Sequence, residues 1–499
     1  MKKLITLFLI IGTINGAAAQ FKLSGNIKGT TKPDTFYINI PFIFGYGNHD
    51  NDVTIPVNAK GNFNAVIKLS QPKFGIAHLK GKALTLLLTP GKALVLNYNR
   101  ADTNLTFGGT AAPVNRLLDQ INLNAVPFFA NEDKDNAYAR LTTPQLQQQV
   151  ITPWAAIRDK NIARVQASPI STNDKKLIIQ EIKANYILQL SYFARGIMDR
   201  ADMSRINNLI LEVYKDVHLQ PDILPAGPLY YSFIDSYIGY RETQIFAGMS
   251  REKIKDPNTF IPHYNLTIDS GNRVAKLKGK SFLNWILVRN TYPKNIAEGW
   301  LAQNIFNNCS TKDLNYAKPL MDELKTQYPQ SKYIAPLQVK MDNMETLLVQ
   351  NEKNEDIQII AGYEKMTSIY EAIGKLKGKV VYLDIWGTWC GPCKEELRYN
   401  PQLKQHFKGK DVAFVYLDMD GLEEDGQWRD FIKVNGMTGL HLRKSREEIK
   451  TFWDELLPKE HPQYYPMYFI FDKDGKLVQA NAKRPSDEKE LYNQIEQYL

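Results

Sequence analysis

Two cysteines three positions apart, Cys390 and Cys393, are the residues of this chain best suited to covalent chemistry. The run Val380 to Ile385 is rich in β-branched and aromatic residues, the profile of a strand buried on both faces. It leads directly into Trp386-Gly387-Thr388-Trp389-Cys390-Gly391-Pro392-Cys393, and Lys394 to Asn400 then reads as a helix. A strand, a C-x-x-C turn and a helix set Cys390 at a helix start, where unpaired N–H groups and the dipole favour a thiolate. Pro392 suits the first helical turn, because its missing N–H has no partner to lose there. Two intervening residues let the sulfurs join across one turn while leaving Cys390 exposed. Such a pair exchanges disulfides. An inert structural disulfide and a zinc site are the competing readings. Zinc needs four ligands, yet no second C-x-x-C or paired His follows, and His406, His441 and His461 are not at ligand spacing.

Two carboxylates accompany the thiols. Asp384 lies on the expected strand, and alternation turns it inward beneath Cys390 and Cys393. Burial there would raise its pKa and let it take the proton of Cys393, whereas a strand-end Asp exposed to water would do neither. Glu396 is one helical turn beyond Cys393, placed either to tune the thiols or to stand as an ordinary solvated helix residue.

The elements that carry this site occupy the end of a long chain. At 499 residues, with 43% hydrophobic and 11% aromatic residues, the chain suggests about three domains and excludes a disordered protein. Only 3 Cys exclude a disulfide scaffold. The balance of 62 Lys+Arg against 53 Asp+Glu gives +9 without a dense basic stripe, so no nucleic-acid partner is expected. Met1-Lys2-Lys3, the apolar run Leu4 to Ile11, and Ala17-Ala18-Ala19 before Gln20 have the layout of a cleavable secretory signal over residues 1–19. No Cys near that cleavage point offers a lipid anchor, and no later stretch is apolar enough to span a bilayer. The mature protein is expected to be exported and soluble in the periplasm or cell envelope, without membrane insertion.

Residues 20–108 read as a small all-β domain, a sandwich or barrel, with strands at Phe36 to Ile40, Val53 to Val57, Phe63 to Leu69 and Leu84 to Leu88. Lys60-Gly61-Asn62 marks a turn, and Pro90-Gly91 is expected to join Leu84–Leu88 to Leu94–Tyr98 as a hairpin. His49 and His78 stand alone there. Residues 109–350 switch to helical spacing, as in Ile178, Ile182, Tyr186 and Leu190 behind the capping cluster Ser171 to Asp174, and suggest all-α stacked hairpins. Cys309 lies in this region and reads as a buried, inert thiol. A polar linker is expected at Gln350 to Asp356, followed by an α/β redox domain over residues 355–499. Within it, Asp418, Asp420, Glu423, Glu424 and Asp425 read as a solvated loop and acidic helix start rather than a cation site, and His441 to Lys450 as a charged helix face. Asp472-Lys473-Asp474-Gly475 reads as a hairpin turn rather than a calcium loop.

The Trp389-Cys390-Gly391-Pro392-Cys393-Lys394 signature resembles the thioredoxin-fold domain of exported TlpA/ResA-like thiol–disulfide oxidoreductases, and the resemblance covers about residues 355–499. Asp384 is similar in place to the buried acid of thioredoxins, and Glu396 to the active-site glutamate of the ResA-like branch. The resemblance implies a cis-proline facing the C-x-x-C turn, which it assigns to Pro466 in Tyr464-Tyr465-Pro466-Met467. Family members usually kink the active-site helix with a proline where this chain has Arg398, so Pro401 would move the kink by nearly one turn. The N-terminal β region resembles the small β domain fused to such thioredoxin domains in Bacteroidetes-type envelope proteins.

The chemistry implied is a protein disulfide reductase in which Cys390 attacks, Cys393 resolves with help from Asp384, and Trp389, Gly391, Pro392, Tyr465 and Pro466 hold the substrate. No organic cofactor or metal is required. The partners implied are protein disulfides and a membrane electron donor that re-reduces the pair. An oxidase or isomerase using the same residues, and an envelope adaptor using the fold as a scaffold, are the alternatives.

Overall fold

The computed structural model describes residues 19–132, 135–200, 202–215, 217–252, 256–421, 424–458 and 462–499. The expected signal segment, except Ala19, lies outside the described residues, as do Glu423 and His461. The chain divides into two compact units, Met1–Gln303 and Asn304–Leu499.

The first unit begins with two four-stranded sheets, built from β1 (Ala19–Lys28), β2 (Asp34–Asn39), β3 (Asp52–Val57), β4 (Asn62–Leu69), β5 (Lys73–Leu79), β6 (Lys82–Leu88), β7 (Ala93–Asn99) and β8 (Leu105–Gly108). Their orders are β4-β1-β7-β8 and β3-β2-β5-β6. Alternate residues of both sheets, including Phe21, Leu23, Ile38, Leu84, Leu86, Leu94 and Leu96, meet in one core. The expected hairpin at Pro90-Gly91 does not form. β6 pairs with β5, while β7 pairs in parallel with β1 and antiparallel with β8, so the turn carries the chain from one sheet to the other. Both strands carry their apolar residues on alternate positions, and that pattern is equally compatible with a hairpin and with facing strands. His49 and His78 are not isolated, since both rings pack on Tyr37.

Helices follow: α1 (Ala112–Ile121), α2 (Thr143–Leu146), α3 (Thr152–Ala167), α4 (Thr172–Tyr192), α5 (Met203–Tyr214), α6 (Pro228–Glu252), α7 (Ile268–Lys278), α8 (Lys280–Thr291) and α9 (Lys294–Ser310). The short strands β9 (Phe260–Ile261) and β10 (Leu266–Thr267) precede α7. Ser171 caps α4 by accepting the Asp174 N–H at 3.1 Å, as the sequence pattern requires. Cys309 is buried on α9 and takes no part in a disulfide.

The second unit, which begins within α9, continues with α10 (Leu314–Gln327) and α11 (Ile334–Asn351). Its sheet has the order β11-β14-β13-β12-β15-β16, formed by β11 (Ile357–Ile359), β12 (Val380–Trp386), β13 (Val412–Asp418), β14 (Gly439–Arg443), β15 (Met467–Phe471) and β16 (Leu477–Ala480). Strands β11 to β14 run parallel, β15 runs antiparallel to β12, and β16 pairs antiparallel with β15. Around the sheet lie α12 (Tyr370–Ile373), α13 (Gly391–Glu396), α14 (Asn400–His406), α15 (Asp425–Val434), α16 (Lys450–Leu456) and α17 (Lys489–Glu496). Every residue of the central strand β12 is buried. Val381, Leu383 and Ile385 enter one core. Val380 and Tyr382 face a second, with Leu403, Phe407, Leu491 and Ile495. Asp472 to Gly475 forms the turn between β15 and β16, with Gly475 N–H on Asp472 O at 3.0 Å.

Residues 350–356 are tied down: the Asn351 side chain donates to Lys433 O at 2.9 Å, and Glu352 pairs with Lys433 at 2.8 Å. The expected helix face at His441 to Lys450 is corrected. His441 to Arg443 complete β14, and His441, Arg443 and Lys444 are all buried. Arg443 is neutralised by Asp425 at 3.1 Å, and Lys444 donates to Glu364 O at 2.8 Å. Partners remote in sequence make these charges tolerable inside, and local spacing does not reveal them.

Candidate active site

β12 delivers Trp386 to the sheet edge, and the chain then turns through Gly387 and Thr388 to Trp389. A Cβ on Gly387 would lie 2.7 Å from the Trp389 indole nitrogen, so only glycine leaves room for that ring. Cys390 caps α13, its Sγ accepting the Cys393 N–H at 3.2 Å, while its own N–H bonds Gly387 O at 3.0 Å. The two sulfurs are joined as a disulfide. Contrary to the exposure expected for it, Cys390 is only 4% exposed, and Cys393 2%. Trp389, at 41% exposed, forms the open part of the motif together with the exposed Gly391 and Pro392.

Pro392 occupies the first turn of α13. The helix stops at Glu396, one 3₁₀ turn follows over Leu397–Tyr399, and α14 starts at Asn400 with Pro401 in its first turn. A proline ring there clashes with the Leu397 carbonyl and bonds to no acceptor, which accounts for the break.

The Tyr465–Pro466 bond is cis. Ile385 pairs with Met467, so the antiparallel register sets Pro466 opposite Trp386, four residues before Cys390. Tyr465 packs edge-on against Trp389, with ring centroids 5.4 Å apart, and lies 6.0 Å from Trp453. Arg446 sits 4.7 Å over the Trp389 ring. Trp389, Tyr465, Trp453 and Arg446 line an open groove of about 620 Å³.

Asp384 is buried, flanked in register by Tyr416 on β13 and Tyr468 on β15. Its Oδ1 has no hydrogen-bond partner. Burial drives its carboxyl well above the ordinary range, the Glu396 charge pushes the same way, and Lys404 opposes both. Glu396 is also buried, so it is not a solvated helix residue. It accepts the N–H of Ser486 at 2.9 Å and the hydroxyl of Ser486 at 3.0 Å. The structure thus joins the two cysteines, brings Glu396 into the field of Asp384, and packs Tyr465 on Trp389.

Two participants escaped sequence reasoning. Lys404 lies behind Asp384, its ammonium donating to Thr438 O; burial pulls it down to about 7 while the Asp384 charge holds it up. Its signal was present, because Asn400, Leu403, Lys404 and Phe407 share the i, i+3, i+4, i+7 spacing of a buried face. The second is Asp420. The expected solvated loop is overturned, since Asp418 and Asp420 are 0% and 1% exposed. Asp420 accepts the Thr388 N–H at 3.0 Å and the Thr388 hydroxyl at 2.5 Å, fixing the loop two residues before Cys390. Burial raises Asp420 to about 6 against those two bonds. Among the described residues, no three His, Cys, Asp or Glu side chains gather as a metal site would require, and no helix is long and apolar enough to cross a membrane.

Residues 378–477 match the Thioredoxin_8 family, described as thioredoxin-like. The thiol–disulfide oxidoreductase ResA of Bacillus thuringiensis subsp. konkukian is 36% identical over 124 residues, which are 25% of this chain and 63% of that protein. ResA of Bacillus subtilis is 30% identical over 108 residues, 22% of this chain and 55% of the relative. The chain therefore spans less than two thirds of the length of these curated relatives. The solution structure of a candidate thiol–disulfide oxidoreductase from Bacteroides vulgatus is 34% identical, with a TM-score of 0.21, and is matched over 25% of this chain and 76% of its own.

Proposed function

We propose, from the premise that residues 378–477 form a thioredoxin-like domain of the ResA-type thiol–disulfide oxidoreductases, that this chain reduces disulfides in exported proteins. The observation that carries the reading is the Cys390–Cys393 disulfide at the β12–α13 junction, beside an exposed Trp389. In the reduced protein, the Cys390 thiolate attacks a substrate disulfide; one Cys390–substrate S–S bond forms and the substrate's own S–S bond breaks, releasing one substrate thiolate. Cys393 then attacks Cys390 Sγ and expels the second substrate thiolate. Two electrons pass to the substrate, and the Cys390–Cys393 bond closes.

Asp384 takes the proton of Cys393 in the second step. A carboxyl raised by burial is a better match to a thiol than an ordinary Asp, and Lys404 behind it holds the resulting charge balance. Trp389, Gly391, Pro392, Tyr465 and Pro466 hold the substrate chain along the groove, and Glu396 tunes the pair through Asp384. The signal-like N-terminus supports a periplasmic or envelope location, where a membrane electron donor would restore the dithiol. The two N-terminal sheets with their common core are read as the layers of a β-sandwich.

Thiol-redox titration of the Cys390–Cys393 couple, followed by Trp386 and Trp389 fluorescence, tests the reading. A midpoint near or below about −250 mV supports a reductase. One above about −180 mV transfers the site to an oxidase or isomerase. No reversible transition, with both thiols verified, removes exchange chemistry and leaves an envelope binding protein.

A further inference from the structure

Lys394 directly follows Cys393, at a position where a lysine on a short surface helix normally extends its ammonium into water. Here the ammonium is held 2.6 Å from Asp313 Oδ2, and the two side chains are only 11% and 5% exposed. Asp313 precedes α10 and does two jobs, because its Oδ1 also accepts the Tyr316 N–H at 3.3 Å and caps that helix. Lys394 lies 5.4 Å over the Phe431 ring of α15, and that ring lies 5.4 Å from Trp386 at the end of β12. α15 is held to the same helical pair by the Asn351–Lys433 and Lys433–Glu352 contacts.

We propose that Asp313 is a positioning residue for the Cys390–Cys393 couple, acting through Lys394, so that the helical pair α10–α11 belongs to the redox machinery. The inference rests on the exchange chemistry proposed above. In a water-poor setting a charge on the residue that follows Cys393 acts with little screening. The Lys394 cation favours a thiolate and hence the reduced pair; the Asp313 carboxylate cancels that pull and keeps the couple reducing. No electron or proton passes through Asp313, which sets only the charge that the thiols meet.

Asp313→Asn removes the charge and keeps an oxygen that caps α10. Equilibration of the full chain with glutathione should move about tenfold toward the dithiol, equivalent to about 30 mV for a two-electron couple. The Cys390 thiol should titrate at lower pH in the same variant. Lys394→Met leaves the carboxylate uncompensated and should move the equilibrium the opposite way. The double variant should return close to the unsubstituted protein, and Asp313→Glu should retain its equilibrium. If Asp313→Asn does not fold, Lys394→Met and the double variant still read the charge. An unchanged equilibrium and thiol titration, with only the melting temperature lowered, would overturn the proposal, as would shifts of the same sign in both single variants. Absence of a reversible couple in the unsubstituted protein overturns the exchange reading itself, and is seen before any variant is made.

Discussion

Both compact units bury carboxylates, and they use them differently. In the first unit Glu181 is 0% exposed, and its two oxygens accept the Leu229 N–H at 2.9 Å and the Tyr230 N–H at 3.0 Å. It closes the N-terminus of α6 from across the core. A Cβ on Gly227 would lie 2.3 Å from its carboxyl carbon, so the chain is bare there to admit it. Asp235 is similar, accepting the Trp300 indole N–H at 2.7 Å. Burial raises Glu181 to about 8 and Asp235 to about 6 despite those bonds. In the second unit Asp384 is also buried, yet Oδ1 accepts nothing, and Lys404, whose charge opposes its shift, bonds elsewhere. A raised pKa alone does not separate scaffold from chemistry. The vacant Oδ1 is what distinguishes Asp384 from Glu181, and Asp418 shares that trait through its own vacant Oδ2.

The largest effects are expected at the thiols. Cys390→Ser should abolish reduction of a peptide disulfide, and Cys393→Ser should accumulate mixed disulfides at Cys390, read as trapped adducts by mass. Persistent turnover in Cys390→Ser would place the chemistry elsewhere. Next in size, Asp384→Asn should slow release of the mixed disulfide by about 100-fold in stopped-flow single turnovers.

The same Asp384→Asn change should stabilise the fold at neutral pH, by on the order of 1–3 kcal/mol in urea titrations. The sign follows from the raised folded pKa. The folded state holds the proton more tightly than the unfolded chain, so stability is greatest below the ordinary carboxylate range and is lost as pH rises toward the folded value. In contrast, Glu181→Ala should destabilise by about 2–5 kcal/mol, because two buried N–H groups lose their acceptor, and should leave the Cys390–Cys393 potential unchanged. A shift in potential would erase the distinction between the two acids. The smallest effect is expected at Asp420, raised to about 6. Its contribution to stability declines from about pH 4 to about pH 6 and is level above that, so Asp420→Asn should gain on the order of 1 kcal/mol at neutral pH and nothing at pH 4. A gain confined to acid pH would reverse the assignment.

Much of the site could be read from the chain because it is local. Cys390, Gly391, Pro392 and Cys393 are contiguous, and the apolar run before them permits little except a buried strand. The burial of Asp384 follows from its place in that strand. What could not be read depends on partners far along the chain. Asp420 meets Thr388 because β13 lies parallel to β12, and Asp313 meets Lys394 across a span of 81 residues. His441, Arg443 and Lys444 looked like a charged helix face because their partners, Tyr416, Asp425 and Glu364, are not their neighbours in sequence. In the first unit the strands were legible, whereas their pairing was not: Leu84–Leu88 and Leu94–Tyr98 have the same alternation whether they pair or face one another.

By itself, then, the order of residues determined where strand gives way to turn and helix at Cys390, which two thiols are near enough to pair, and many of the strands and helices. Backbone geometry and the water-avoidance of side chains act over a few residues, so spacing suffices for those. Only the tertiary structure decided which acids keep a vacant oxygen, which lysine is pinned beside the cysteines, and which sheet each strand joins. These depend on contacts between distant segments, where burial and unscreened charge set the energies.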